Sequence, residues 1–416
     1  TIDSTGIAGY SSLTVTSADD TATTTVNNIG SSTTTLSDDS VEGGGTGDLE
    51  SVTIDTTDDA TITVDLAANQ NAAIAVESDL ATLNVTDASS VTIKASGGGF
   101  GNLLAADMAE VDLDDDETTA LTMTAADYTS LEADVEAGTE SLATLTIDAE
   151  GAESDLTLDE LADPTSLTSV SVTADGLNST ATVGKIGDAE AVSPVFAILD
   201  SVTVSASNGS TIDFNGGIGD NEEGDINTQG DLVSYSATAD GTGSTVEAPE
   251  VMADGDKIGT VSYVASNGGT VDSDAGTATV EHGFGTLTME TSGAGSTVDV
   301  DYSMDEGAIT ASPEASITLH AGGAGSTLSP SGSDLGAVDL DVLSITIDSL
   351  ATMETDSMTI EVDDDLGAMT FDVAANGVYD GDLDVDVAES MSSLTITLGD
   401  EADFAAEADV VNIDAA

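Results

Sequence analysis

The stretch LDSVTVSASNGSTIDF, Leu199 to Phe214, decides the fold. It reads as two short strands meeting at a corner. Val202, Val204 and Ala206 alternate with Thr203 and Ser205, which puts apolar side chains on one face and hydroxyls on the other. Asn208-Gly209 supplies residues that tolerate left-handed backbone. Thr211-Ile212-Asp213-Phe214 then resumes the alternation.

The unit recurs six times in the middle of the chain, opening at Ala174, Ala206, Ala239, Ala265, Thr291 and Ala321. The aligned threonines are Thr180, Thr211, Thr245, Thr270, Thr297 and Thr327, at spacings of 31, 34, 25, 27 and 30 residues. Similar strand openings at Leu49, Leu80, Leu142, Leu366 and Met391 extend the pattern over most of residues 49–398. A loose period near 28 residues marks a solenoid or an array. A unit with two or three short strands cannot bury its own apolar face, whereas stacked units can, with Val on Val and Thr on Thr. The reading is all-β: a parallel β-solenoid of about 12 coils at a ~4.8 Å interstrand spacing. Tandem β-sandwich modules are the alternative, because Asn208-Gly209 and Asn267-Gly268 are also hairpin signals. A sandwich would not repeat its own motif at this period, and it usually holds a large aromatic in its core.

Outside the repeat, residues 1–48 read as an N-terminal cap or assembly segment. Residues 49–214 form the first part of the solenoid, 215–231 an acidic Gly-rich loop, and 232–416 the second part. The best helix candidate, Leu103 to Val111, is short. The chain opens at Thr1 with no initiator Met, which reads as a processed product.

Composition sets what the protein does not do. The 416 residues carry 80 acids and three cations, Lys94, Lys185 and Lys257, for a formal charge of −77. Nucleic acid and anionic membrane surfaces need cations that three Lys against 80 acids cannot supply. No apolar run is long enough to span a bilayer. Without Cys there is no disulfide or thiolate site, and His282 and His320 stand alone. Such acidity often means disorder. A 39% hydrophobic fraction set in alternation argues against that, and 3% aromatics means a thin core of small aliphatics.

The acids themselves are the candidate functional residues. Stacked rungs bring equivalent carboxylates about 5 Å apart, costing about 0.9 kcal/mol per adjacent pair even at the dielectric of water. Either they spread into salt-screened solvent or divalent cations bind between them. Calcium, a hard ion taking six to eight oxygens, suits such sites. Four clusters are nominated as metal sites. They are Asp112, Asp114, Asp115, Asp116 and Glu117; Asp220, Glu222, Glu223 and Asp225; Asp363, Asp364 and Asp365; and Asp380, Asp382, Asp384 and Asp386 with Glu389. The last starts like an EF-hand loop but lacks its Gly at the sixth position and its Glu at the twelfth. A run of charge is also what a plain solvated face looks like.

The repeated LTSVSVTADG and LDSVTVSASNG strands, the Ala/Thr/Ser/Asp/Gly/Val palette and the missing Cys resemble RTX-related, type I-secreted bacterial S-layer proteins. Gly44-Gly-Thr-Gly-Asp48, Gly98-Gly-Phe-Gly-Asn102, Gly216-Gly-Ile-Gly-Asp220 and Gly322-Gly-Ala-Gly-Ser326 keep the GGxG of that family's calcium nonapeptide. They then depart from it, so its ligand positions do not carry over. The resemblance implies a calcium-dependent β-solenoid that assembles on the cell surface with copies of itself into a lattice or fibre. A cell-surface glycan is a further expected partner. The expectation is a non-enzymatic, extracellular structural protein forming a surface layer or filament with several calcium ions. The alternatives are a β-helix carbohydrate-active enzyme and an adhesin or fibre stalk. A lyase of acidic glycans would need the cations this chain lacks.

Overall fold

The computed structural model describes residues 2–3, 12–15, 22–29, 33–36, 49–67, 76–96, 104–113, 118–137, 141–161, 166–186, 199–214, 225–228, 232–248, 250–253, 258–273, 284–301, 315–331, 334–337, 340–362, 364–404 and 411–415, with most side chains from Ser90 onward. Among these residues there are strands and turns and no helix. Every strand pair of described register is parallel, as between Thr144–Glu150 and Ser169–Asp175 or Ile258–Ser266 and Phe284–Ser292. Neighbours in a sheet are therefore successive coils, not successive strands, and the chain is a parallel β-solenoid. The sandwich alternative falls, because its hairpins require antiparallel pairs.

The chain forms two compact units, Thr1–Phe196 with Ser210–Glu222, and Ala197–Gly209 with Glu223–Ala416. In the first unit, one ladder stacks 61–67, 90–96, Ala120–Ala125, Thr144–Glu150 and Ser169–Asp175. A second stacks 49–56, 80–86 and then Leu104–Asp112, Thr129–Ala137, Asp155–Leu161, Thr180–Ile186 and Thr211–Phe214.

In the second unit the main ladder is eight strands deep. It stacks Ser201–Ser207, Leu232–Asp240, Ile258–Ser266, Phe284–Ser292, Ser316–Ala321, Leu340–Ile347, Asp365–Val373 and Ser390–Leu398. Beside it run Thr245–Glu247, Thr270–Ser273, Thr297–Asp301, Thr327–Ser331, Thr352–Val362, Val378–Val387 and Asp403–Phe404. A third row holds Asp334–Ala337, 359–362, 383–387 and Val411–Ala415.

The repeat seen in the sequence is the rung itself. Thr180 stands opposite Thr211 in the first unit, and Thr245, Thr270, Thr297, Thr327 and Thr352 form one column in the second. The corner before this column has one backbone rule. The residue two places upstream has positive φ in every described coil: Tyr128, Glu153, Asn178, Gly209, Gly243, Gly268, Gly295, Gly325, Leu350, Asn376 and Glu401. Gly and Asn occupy most of these positions because a Cβ is disfavoured there. Asn267 and Gly268 are both left-handed, as a hairpin turn would require, yet they join Ile258–Ser266 to Thr270–Ser273, which pair with other coils. The turn chemistry is local, and the pairing partner is set by the stack.

The residue between the left-handed position and the column points inward and is small: Thr129, Ser154, Ser179, Ser210, Ser244, Ser296, Ser326 and Ala351 are all buried. Burying a hydroxyl requires a partner. Ser244 Oγ donates to Asp240 O at 2.7 Å and accepts from Gly209 N at 2.9 Å. Ser296 Oγ repeats this with Ser292 O at 2.6 Å and Gly268 N at 3.0 Å. The Gly-Ser-Thr of the repeat is thus a corner in which the Ser satisfies backbone groups of its own coil and of a neighbouring one.

Inside, aliphatic columns fill the coil. Val91, Leu121, Leu145 and Val170 stack in the first unit, with Ile93, Met123, Ile147 and Val172 beside them. Each such side chain removed from water contributes about 1.5–3 kcal/mol. The largest fully buried aromatic side chains, Tyr235, Tyr263, Phe371 and Tyr379, lie in the second unit. Tyr235 lies next to Val261, and Ala237 next to Tyr263, so large and small alternate between rungs. The two rings meet at 5.5 Å between centroids. Phe371 and Tyr379 make a second such pair at 5.5 Å.

The helix candidate, Leu103 to Val111, is a strand over its described residues, within Leu104–Asp112, paired with Val76–Ser96 and Thr129–Ala137. Its Leu, Ala, Met and Glu favour helix locally, and two flanking strands override that weak preference. The loop expected over 215–231 contains a strand, Asp225–Thr228, paired with Glu250–Ala253.

Candidate metal-binding face

Strand alternation sends the residue two places after the column Thr outward, and there the repeat carries acids. Glu247, Asp272 and Asp299 occupy this position on three successive rungs of the second unit. Further along the same row Glu354 stands opposite Asp380. Glu247, Asp299, Glu354 and Asp380 are exposed and Asp272 is half-buried. The third row adds Glu361 opposite Asp386, both exposed. Glu150 opposite Asp175 makes a similar pair in the first unit.

The nominated clusters fare differently. Asp114, Asp115, Asp116, Glu117, Asp220, Glu222, Glu223 and Asp363 lie outside the described residues. Asp112 closes the strand Leu104–Asp112, and Asp225 opens the strand Asp225–Thr228 in register with Glu250. Asp364 and Asp365 are exposed at the start of Asp365–Val373, where Asp365 accepts from the Ser390 hydroxyl and the Asp364 carbonyl accepts from Glu389 N at 3.1 Å. Asp380, Asp382, Asp384 and Asp386 all lie on the exposed side of Val378–Val387.

Geometry decides which of these can share an ion. Calcium holds oxygens at about 2.3–2.6 Å, so two carboxylates can grip one ion across a rung spacing of about 4.8 Å. Neighbours two apart on one strand, such as Asp384 and Asp386, are separated by about 6.6–6.8 Å and fit poorly. The residues therefore suit two-carboxylate sites completed by water, between rungs. Among the described residues no three Asp, Glu or His side chains converge on a single point. The stacked column was missed in the sequence because runs of acids were sought. Its signal lay in the repeat: Thr211-Ile-Asp213, Thr245-Val-Glu247, Thr270-Val-Asp272 and Thr297-Val-Asp299.

The electrostatics vary with depth. Burial pushes the Asp148 carboxyl up, with the charges of Glu150 and Asp175 adding to it and Lys94 working against it. Burial alone raises Asp155. Asp240, at an exposed corner, is lowered, first by the Ser266 hydroxyl and then by the Asn267 amide, which donates at 2.8 Å. His320 stands between two acids, with Nδ1 3.5 Å from Glu290 Oε1 and Nε2 3.4 Å from Asp348 Oδ2. The two carboxylates face opposite ring nitrogens, so this trio is a bridge across rungs and not a ligand set for one ion. His282 lies outside the described residues.

The fold and this face define a class: a parallel β-solenoid with carboxylate columns on its outer surface. No family model, no curated protein and no solved structure matches the chain.

Proposed function

We propose that the protein is an extracellular structural protein that self-assembles into a surface layer or filament, with calcium ions held between its acidic rungs. The observation that carries the reading is the outward column Glu247, Asp272 and Asp299, three carboxylates on consecutive rungs of a chain with 80 acids and three lysines. Like charges at this spacing oppose the stacking that brings them together. A divalent cation between rungs reverses the sign of that interaction. The resemblance to RTX-related S-layer proteins supports an assembling role and a place at the cell surface. The nominated loop acids, from Asp112 to Glu117 and from Asp220 to Asp225, add oxygen donors of the same kind. A cell-surface glycan would serve as the anchoring partner.

Electron microscopy of the purified protein with calcium, and again after chelation, tests the reading. Sheets or filaments that dissolve on chelation are expected. A monomer indifferent to calcium and to salt would overturn it.

A further inference from the structure

The last strand of the second unit's main ladder among the described residues, Ser390–Leu398, breaks the burial rule of every strand before it. Leu394, Ile396 and Leu398 stand in register on Met369, Phe371 and Val373. Those three are 0–1% exposed, whereas Leu394, Ile396 and Leu398 are 45%, 51% and 53% exposed. They continue the core columns onto a rung that has no further strand paired to it among the described residues. The described strands that follow, Asp403–Phe404 and Val411–Ala415, pair with Val378–Val387 and not with this one. Natural edges are usually blunted with charge. This one has none: residues 390–399 hold no acid in a chain where one residue in five is acidic.

A strand of the first unit has the same sequence. Ser11-Ser-Leu-Thr-Val-Thr16 and Ser392-Ser-Leu-Thr-Ile-Thr397 differ only by Val for Ile, and residues 4–18 are likewise free of acids. Its strand Ser12–Val15 pairs along one edge with Thr33–Leu36, which follows it in sequence. Its other edge has no partner among the described residues and faces the preceding side of the stack, whereas Ser390–Leu398 is open on the following side. The two edges are thus of opposite sense, as head-to-tail stacking requires.

We propose that Ser390–Leu398 of one copy pairs in parallel with Ser12–Val15 of a second copy, placing Leu13 on Leu394, Thr14 on Thr395 and Val15 on Ile396. Like stacks on like here as it does within the chain, where Thr270 lies on Thr297 and Ala239 on Ala265. Two acid-free edges meet without direct carboxylate repulsion, on a chain whose formal charge is −77. Such a contact joins different patches, so each copy keeps a free edge of each kind and further copies can add head to tail. The inference rests on the assembling role proposed above and names the surfaces that perform it.

The absence of Cys makes the test direct. Parallel neighbours sit about 4.8 Å apart, within disulfide reach. In calcium, oxidised Thr14→Cys/Thr395→Cys should give a ladder of covalent multimers with a 14–395 linkage, and each single variant should give nothing beyond a dimer. Leu394→Asp/Ile396→Asp should lose assembly while keeping its circular dichroism spectrum, because only the outermost rung is altered. If wild type assembles but no 14–395 linkage forms, or the double-Asp variant assembles as wild type does, the end-to-end contact falls and the assembling role stands. If wild type assembles under no condition and no linkage forms, both fall.

Discussion

Leu350 shows how strictly the corner is imposed. It occupies the left-handed position with φ 64°, is 58% exposed, and its N–H donates to Asn376 O at 3.1 Å. Most other coils place Gly or Asn there, and a branched side chain in this conformation costs about 1–2 kcal/mol. Leu350→Asn keeps the N–H and relieves part of that strain, so it should stabilise by about 0.5–1 kcal/mol. A rise in the urea midpoint at unchanged m-value is the check. The inner corner is less forgiving. Ser244→Ala strands the Gly209 N–H and leaves the Asp240 carbonyl only the Asn208 N–H, at 3.2 Å, and should cost about 1–3 kcal/mol in the same measurement. Tyr235 is the reverse case. Its ring is buried against Tyr263, and its hydroxyl has no hydrogen-bond partner among the described residues, with burial driving its pKa up. Tyr235→Phe removes an unpaired buried polar group and should hold or raise the midpoint.

At the scale of the strand, alternation and the threonine column were legible in the sequence, because the side-chain period and the rung period are both written along the chain. The repeat period also favoured stacked over hairpin pairing, although the corner read by itself left the hairpin open. Asn267-Gly268 has the local chemistry of a hairpin, and only the stack makes it a corner. Leu104–Asp112 has helical propensity and is overruled by the strands on either side. The acidic column escaped because its members lie 25 and 27 residues apart in sequence and one rung apart in space. Asp148 carries a pH prediction at this scale. Its carboxyl is raised in the folded state, so folding takes up protons between its unfolded pKa, about 3.9, and the higher folded value. Its stabilising contribution is present below the unfolded pKa and is lost as pH rises through the folded one. Asp148→Asn should therefore match wild type near pH 3 and melt higher at neutral pH, with the gap opening across that window. Asp240 runs the other way: its lowered carboxyl stabilises above the unfolded pKa, and that is lost as pH falls.

For the whole molecule the question is how a chain of charge −77 stacks at all. The aliphatic columns favour stacking and the carboxylate columns oppose it, so the balance is set by the ions in solution. Asp272 sits between Glu247 and Asp299 and takes part in two repulsive contacts of about 0.9 kcal/mol each at the dielectric of water. Without divalent ions at low salt, Asp272→Asn should stabilise by about 1–2 kcal/mol. Monovalent salt should shrink that gain as the Debye length falls to about 10 Å at 0.1 M and below. Calcium should do something that salt does not. If it bridges rungs, wild type gains a ligand-linked stabilisation that grows with concentration, while the variant has lost the shared carboxylate. The order of melting temperatures then inverts, with the variant above wild type in chelator and below it in calcium at equal ionic strength. A variant that stays above wild type in both would mean that calcium acts on this column only as a screening ion.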